Sequence, residues 1–188
     1  MAVEITSILW RRLDQPGHEA ARLLQEQSGW RLIGSAVFAH DGAPCRMDYS
    51  IFCDEKWKTR SADVTGWIGK SPIESRIRVS ESNIWELNDE KVARVSGCID
   101  IDLNFSPSTN LLPIRRLNLA VGEHATVRAA WLRFPSLTLE PLEQVYRRIG
   151  DRTYRYESAG GSFVAVLETN VSGFVIEYPN IWSMEASA

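Results

Sequence analysis

The sequence has few of the residues that mark disulfide frameworks and metal centres. Its 188 residues include three cysteines and three histidines. Cys45, Cys53 and Cys98 form no CxxC pair, and their spacing matches no zinc-binding pattern. We therefore expect buried free thiols. The histidines are scattered, without a second ligand at metal-site spacing, and no metal site is predicted.

Long apolar runs and a strong net charge are also missing. The 21 basic and 24 acidic residues are interspersed and leave a net charge of −3. Nucleic-acid binding favours a basic surface, so nucleic acid is not an expected partner. No apolar run approaches the roughly 20 residues of a transmembrane helix. The N-terminus lacks the basic and apolar segments of a signal peptide, so we expect a cytoplasmic protein without a membrane span.

Signatures of common catalytic sites are absent as well. The sequence contains no GxSxG, P-loop, GxGxxG or HExxH motif. Serine or cysteine catalysis would rest on isolated residues, and no cofactor is expected. These absences favour a non-catalytic protein and assign no catalytic residue.

Alternating apolar and polar residues dominate what is present. Apolar residues make up 44% of the chain, and their alternation with polar residues is typical of β-strands. Turn residues separate the segments over short connections, which indicates a mostly antiparallel meander. Strands are predicted at residues 3–13, 47–53, 73–79, 99–105, 117–121, 127–134, 154–157, 163–168 and 174–178, with another around Trp67. The pattern predicts a mainly β fold of ten or more strands.

Two segments have helical composition instead. Residues 18–27 (HEAARLLQEQ) place alanine and leucine on one side, although a surface turn is an alternative. In residues 140–149 (EPLEQVYRRI), Pro141 falls just inside the predicted helix, where a missing N–H costs least. Apolar residues then follow at helical spacing. We therefore expect one or two short helices.

The length suits a single domain over residues 1–188. A faint internal similarity between residues 84–107 and 154–179 suggests two similar, intertwined halves without a linker between them. Residues 183–188 (SMEASA) are expected to fray.

Paired polar residues concentrate in residues 98–119 (CIDIDLNFSPSTNLLPIRRLNL). Asp100, Asp102 and Asn104 alternate with apolar residues and so share one strand face, and Asn110 follows in a bend. The two carboxylates could hold a divalent metal, work as an acid–base pair or line a ligand cavity. The simplest alternative is a solvated strand face.

Arg115 and Arg116 follow a proline in the same segment. Adjacent strand residues point to opposite faces, so only one of these arginines can meet the aspartates. A buried arginine must be paired, which makes an Asp–Arg brace the structural alternative to a binding or catalytic role.

Aromatic and polar residues also mix between residues 48 and 67. Tyr49, Trp57 and Trp67 are candidates to stack on a sugar or to cover an acyl chain on a concave sheet. The alternative is a pair of strands with one face in the core and the other in water.

The run from Asp100 to Leu117 resembles the signature of a bacterial family described as putative glycolipid-binding, formerly a domain of unknown function. The family pattern, D-x-D-L-x-x-[ST]-P-x-T-N-x-L-P-I-R-R-L, is matched along this run. Further likenesses around Trp10, residues 131–135 and residues 173–182 extend the resemblance over nearly the whole chain.

The resemblance implies a highly curved antiparallel sheet, a spiral β-roll similar in shape to bacterial lipoprotein carriers of the LolA, LolB and LppX types. It also implies glycolipid binding, as an inference from the fold, and it implies no catalytic residues.

Three functions remain open. The favoured one is a binding module that holds an acyl or isoprenoid chain in an apolar, sheet-lined cavity, with a sugar or phosphate head at a polar rim. The expected ligand-binding residues are Asp100, Asp102, Asn104, Asn110, Arg115, Arg116, Tyr49, Trp57 and Trp67. The alternatives are a metal-dependent phosphate-ester hydrolase that uses Asp100 and Asp102, and a non-catalytic interaction scaffold. An edge strand could also pair two copies into a homodimer.

Overall fold

Strands form 62% of the computed structural model, which describes residues 3–188. They belong to one fifteen-stranded sheet that curls on itself without closing, and one short α-helix accompanies it. The predicted mainly β fold, with a strongly curved sheet of at least ten strands, is confirmed.

The first eight strands run as an antiparallel meander from the middle of the sheet to one edge. They are β1 (Val3–Arg12), β2 (Gly17–Glu26), β3 (Gly29–His40), β4 (Ala43–Asp54), β5 (Thr59–Ile68), β6 (Ser71–Val79), β7 (Trp85–Leu87) and β8 (Glu90–Lys91). In β4, Cys45, Met47, Tyr49, Ile51 and Cys53 are buried while the residues between them are more exposed. The alternation of apolar and polar residues in the sequence therefore corresponds to a strand with one buried face and one more exposed face.

The remaining strands fill the sheet from its other edge back to the middle. They are β9 (Asp100–Leu103), β10 (His124–Arg133), β11 (Thr138–Arg148), β12 (Thr153–Ser158), β13 (Phe163–Thr169), β14 (Val175–Tyr178) and β15 (Trp182–Ser187). β9 pairs with β10 in parallel, whereas the other strand pairs within residues 3–188 are antiparallel. β15 pairs with β1, so the two ends of the chain meet in the middle of the sheet.

The helix, α1 (Leu111–Leu117), lies in the segment between β9 and β10. Pro113 falls in its first turn, where the absent N–H has no helical partner to lose. The helix ends at Asn118, whose φ of 43° is the left-handed conformation that asparagine tolerates at a helix terminus. Three 3-10 turns complete the fold, at Ala93–Val95, Ser108–Asn110 and Ala159–Gly161.

Residues 105–114 fill the inside of the curled sheet, and all ten are buried. On one side, Phe105 and Leu111 belong to the core that β1–β7 largely form. On the other side, Ile114 packs with Tyr146 and its neighbours in a second core from the C-terminal strands. The two halves of the sheet are thus held together through this segment as well as through the pairing of β1 with β15.

The prediction of a helix over residues 18–27 is wrong, because β2 occupies this stretch. Glu19, Ala21 and Leu23 face inward at a period of two, and β2 pairs with β1 on one side and β3 on the other. Alanine and leucine favour a helix locally, but hydrogen bonding along both edges and burial of one face outweigh that propensity.

The prediction of a helix over residues 140–149 is also wrong, because most of these residues lie in β11. Gln144 and Tyr146 are buried at strand spacing. Pro141 lies opposite Ala130 of β10, outside the stretch that pairs with β12. It therefore occupies a place where the strand has a free edge, which is where a sheet tolerates proline.

Two shorter segments differ from expectation as well. Residues 117–121, expected as a strand, form the end of α1 and the turn after it. Residues 183–188, expected to fray, mostly lie in β15, which pairs with both β1 and β14. The backbone of Ala188 also bonds to Ser7, so main-chain hydrogen bonds order this end of the chain.

Candidate functional site

β9 carries the two aspartates of the motif on one face. Ile101 and Leu103 join the core on the other face, whereas Asp100 and Asp102 accept hydrogen bonds from α1 and β11 respectively. The predicted common face of the two aspartates is confirmed.

Asp100 forms a buried ion pair with Arg116. Arg116 donates from Nε to Oδ1 at 2.9 Å and from Nη2 to Oδ2 at 2.6 Å, and the Asp100 side chain is 1% exposed. Burial raises the pKa of Asp100, and the hydrogen bonds and charge of Arg116 oppose that rise. Both carboxylate oxygens are engaged, so the pair braces β9 against α1.

Asp102 has an amide partner instead of a cation. Gln144 donates from Nε2 to Oδ2 of Asp102 at 2.6 Å. Burial raises the pKa of Asp102 to about 6, and the hydrogen bond from Gln144 lowers it only in part. Arg116 occupies both oxygens of Asp100, so the two aspartates have different hydrogen-bond partners.

A cavity of about 280 Å³ opens beside Asp102, between the motif and strands β10–β15. Its polar lining from the motif consists of Asp102, Asn104, Ser106 and Asn110. Its aromatic lining consists of Trp131, Tyr156, Phe163, Tyr178 and Trp182. The cavity thus brings a carboxylate, two amides and a hydroxyl to one side of a ring of aromatic side chains.

Hydrogen bonds hold the two amides of the cavity in place. Asn110 donates from Nδ2 to the hydroxyl of Tyr146 at 2.8 Å, and Tyr146 packs against Tyr156 with ring centroids 5.1 Å apart. The Oδ1 of Asn104 accepts from the backbone N–H of Phe134 at 3.1 Å. Each amide is therefore oriented by a hydrogen bond within the protein.

A second polar cluster lies against the N-terminal half of the sheet. Oε1 of Glu19 accepts from the hydroxyls of Tyr49 and Ser106, each at 2.6 Å, and the Tyr49 hydroxyl is 2.7 Å from Oγ of Ser108. Burial raises the pKa of Glu19 to about 7, and the Ser106 and Tyr49 hydrogen bonds oppose this rise. Oε2 of Glu19 has no hydrogen-bond partner within the described part of the chain.

Tyr49 has a packing role in this cluster. Its side chain is buried and lies over Gly34 of the paired strand, where an added Cβ would fall 2.3 Å from the tyrosine hydroxyl. Only glycine leaves room for the ring at this point. The Glu19–Tyr49–Ser106–Ser108 cluster therefore ties the bend of the motif to β2 and β4.

The remaining predicted residues lie elsewhere. The guanidinium of Arg115 lies 5.1 Å above the ring of Trp57, which stacks on Trp30 at 4.5 Å. Arg115 and Trp57 line a separate cleft that shares no residue with the Asp102 cavity. Trp67 is 37% exposed on the outward face of β5. The structure thus gathers Asp102, Asn104 and Asn110 of the predicted set around one cavity and places Trp57 and Arg115 at another.

Comparison with known proteins gives the family. A family model described as putative glycolipid-binding matches residues 7–184. The chain belongs to this glycolipid-binding family. Its fold is similar to the crystal structure of a DUF1089 family protein from Pseudomonas aeruginosa, with 32% identity and a TM-score of 0.78. That match covers 89% of this chain and 91% of the other. No curated protein matches the chain.

Several residues around the cavity of this glycolipid-binding family member were not predicted as site residues. Gln144 lies in the segment expected as a helix, so the sequence pattern gives it no place beside Asp102. Tyr156 and Tyr178 lie in predicted strands, but alternation does not say which strand faces the motif. Glu19 and Ser106 are 87 positions apart, and no spacing rule connects them.

The described residues contain neither a cluster of metal-binding side chains nor a membrane-spanning helix. Within residues 3–188, no group of three or more histidine, cysteine, aspartate or glutamate side chains is placed to hold a metal ion. No helix of that range is long and apolar enough to cross a membrane. Cys45, Cys53 and Cys98 are buried free thiols, as predicted.

Proposed function

We propose that the protein binds a glycolipid and holds the sugar of its head group in the Asp102 cavity. The observation that carries this proposal is the composition of the cavity wall, which joins a carboxylate and two oriented amides to five aromatic rings. The glycolipid-binding family supports the class of ligand. The assignment of the sugar to this cavity is our own inference.

The chemistry of the wall suits a sugar. Sugar hydroxyls both donate and accept, so they can donate to the free oxygen of Asp102 and bond with the amide groups of Asn104 and Asn110. The hydrophobic faces of a sugar ring can lie against the rings of Trp131 and Tyr156. A few oriented polar groups in a mostly aromatic pocket are typical of small-molecule sites.

The size of the cavity limits what it can enclose. At about 280 Å³ it lies just below the usual range of ligand pockets, which is roughly 300–1,000 Å³. Residues 105–114 are all buried, so they take up space inside the curled sheet, where the sequence favours an apolar chain. We therefore propose that the cavity takes the head group alone and leaves the lipid chain outside it.

The proposal is tested by native mass spectrometry of the protein purified from its own host. We expect a bound glycolipid, which is then extracted, identified and titrated back by calorimetry. Asp102→Asn removes the charge with little change in shape, and we expect it to weaken binding about tenfold, because hydrogen bonds to charged groups are worth about 1.5–3 kcal/mol. Asp63→Asn, which alters an exposed aspartate of β5 paired with Arg78, is the matched control.

The outcomes separate the site from the ligand class. Equal binding by wild type, Asp102→Asn and Asp63→Asn would place the sugar elsewhere on the protein. A clean apo mass, together with no binding of octyl glucoside offered as a soluble glycolipid analogue, would overturn glycolipid binding itself.

A further inference from the structure

A second cleft, of about 500 Å³, lies beside α1. Three arginines line it, Arg115 at the end of α1, Arg148 at the end of β11 and Arg152 in the following loop. Asp151 is the one carboxylate among the residues that line it. The lining therefore carries an excess of positive charge in a protein whose net charge is −3.

Arg148 is held in place by main-chain carbonyls. Nη1 donates to the carbonyl of Leu119 at 2.7 Å and Nε to that of Gly150 at 3.3 Å, while Nη2 donates to the carbonyl of Asp151. Carbonyl oxygens fix the guanidinium without neutralising it. Arginine has five N–H donors, so the group keeps donors for a ligand.

Arg115 is positioned by packing. Its guanidinium lies over the ring of Trp57, and its stem passes close to Gly173, where an added Cβ would be 3.2 Å from Cδ. Gly173 has a φ of +92°, so both its backbone conformation and the space beside it favour glycine. The cation–π contact orients the charge, and no acid within the described residues pairs with the N–H donors of Arg115.

Within residues 3–188, no carboxylate forms an ion pair with Arg115, Arg148 or Arg152. Most arginines on the rest of the surface do have such a partner, for example Arg60 with Asp54 at 2.7 Å and Arg78 with Asp63 at 2.8 Å. Guanidinium groups that line one cleft and have no carboxylate ion-pair partner are suited to bind phosphate.

We propose that this cleft binds a phosphate group carried by an organic molecule. The volume exceeds what a free ion needs, and Trp57, Ile114 and Tyr154 supply apolar surface beside the arginines. The phosphate could belong to a soluble ester or to a lipid head group, and the chemistry of recognition is the same. This site is independent of the sugar cavity proposed above, because the two share no lining residue.

The test uses one soluble and one membrane-bound source of phosphate. Glycerol 3-phosphate is titrated into the protein by calorimetry, with glycerol as the blank. Sedimentation measures binding to phosphatidylcholine vesicles with and without phosphatidic acid. We expect saturable binding in at least one arm, and Arg115→Gln and Arg152→Gln should each raise Kd about tenfold, since each removes charge-assisted hydrogen bonds.

Arg147→Gln is the matched control, because Arg147 is an exposed neighbour of Arg148 on β11 and does not line the cleft. Its Kd should stay within about twofold of wild type, since it changes only the long-range charge, which salt screens. Asp102→Asn should also bind phosphate normally, so failure at the sugar cavity leaves this result unaffected. No binding in either arm, or an equal loss in Arg147→Gln, would overturn the proposal.

Discussion

Asp100 and Asp102 lie two residues apart on the same face of β9, yet their surroundings differ in kind. Asp100 meets a guanidinium that engages both of its oxygens. Asp102 meets one amide N–H and a cavity. The difference arises from the partner strand and helix, because α1 supplies an arginine at one aspartate and β11 supplies a glutamine at the other. A buried carboxylate whose charge is compensated by a cation stabilises the fold. One without a cation is a candidate to bind a ligand.

The largest effect is expected from removing the cation at Asp100. Arg116→Met leaves a buried carboxylate without a counter-charge, which typically costs about 3–5 kcal/mol of unfolding free energy. Urea denaturation measures the loss. Arg115→Met, one position away, is the control and should cost much less, because Arg115 is exposed. Equal losses in the two variants would show that the ion pair does not brace the fold.

Glu19 extends the comparison to a third buried carboxyl group. Its pKa is raised to about 7 in the folded protein from an ordinary value of 4.5, so the folded state binds the extra proton between these values. Stability must therefore fall as pH rises through this window. Glu19→Gln removes the titration and keeps an acceptor for Tyr49 and Ser106.

Relative to wild type, the unfolding free energy of Glu19→Gln should increase by on the order of 3 kcal/mol between pH 4.5 and pH 7. Above pH 7 the difference should stay constant. Unfolding free energies measured across the pH range give this difference directly. A constant difference at all pH values would mean that Glu19 does not titrate in this range.

Asp102 should give a smaller effect at lower pH. Its pKa is raised from 3.8 to about 6, so its contribution to stability falls as pH rises between these values. Relative to wild type, the unfolding free energy of Asp102→Asn should increase by on the order of 2 kcal/mol between pH 4 and pH 6. The effect is smaller than at Glu19 because the cavity gives the Asp102 carboxylate some contact with water. If the difference instead appeared above pH 6, the proton would reside on another group.

The sequence predicts the strands well where alternation alone decides them. β4 and β6 have the expected inward faces because one side of each strand is buried and the other is more exposed. The prediction fails in β2 and β11, whose local composition favours helix while pairing with neighbouring strands decides the structure. Such pairing is a long-range property that no local window contains.

The candidate site was predictable in its motif and not in its surroundings. The sequence indicates that Asp100 and Asp102 share a face and that only one arginine can reach them. Strand geometry does not apply to Arg115 and Arg116, however, because they lie in the last turn of α1. The partners that set the two environments, Arg116 and Gln144, come from elements that approach β9 only after the sheet curls.

The pairing of β1 with β15 has a consequence for how the chain folds during synthesis. β15, the strand that completes one of the edges of β1, is made long after β1 itself. Until then β1 can pair only with β2, and its other edge exposes unsatisfied backbone groups to any passing strand. Newly made chains should therefore depend on chaperones until β15 is released, and removal of residues 183–188 should harm folding more than their exposure suggests.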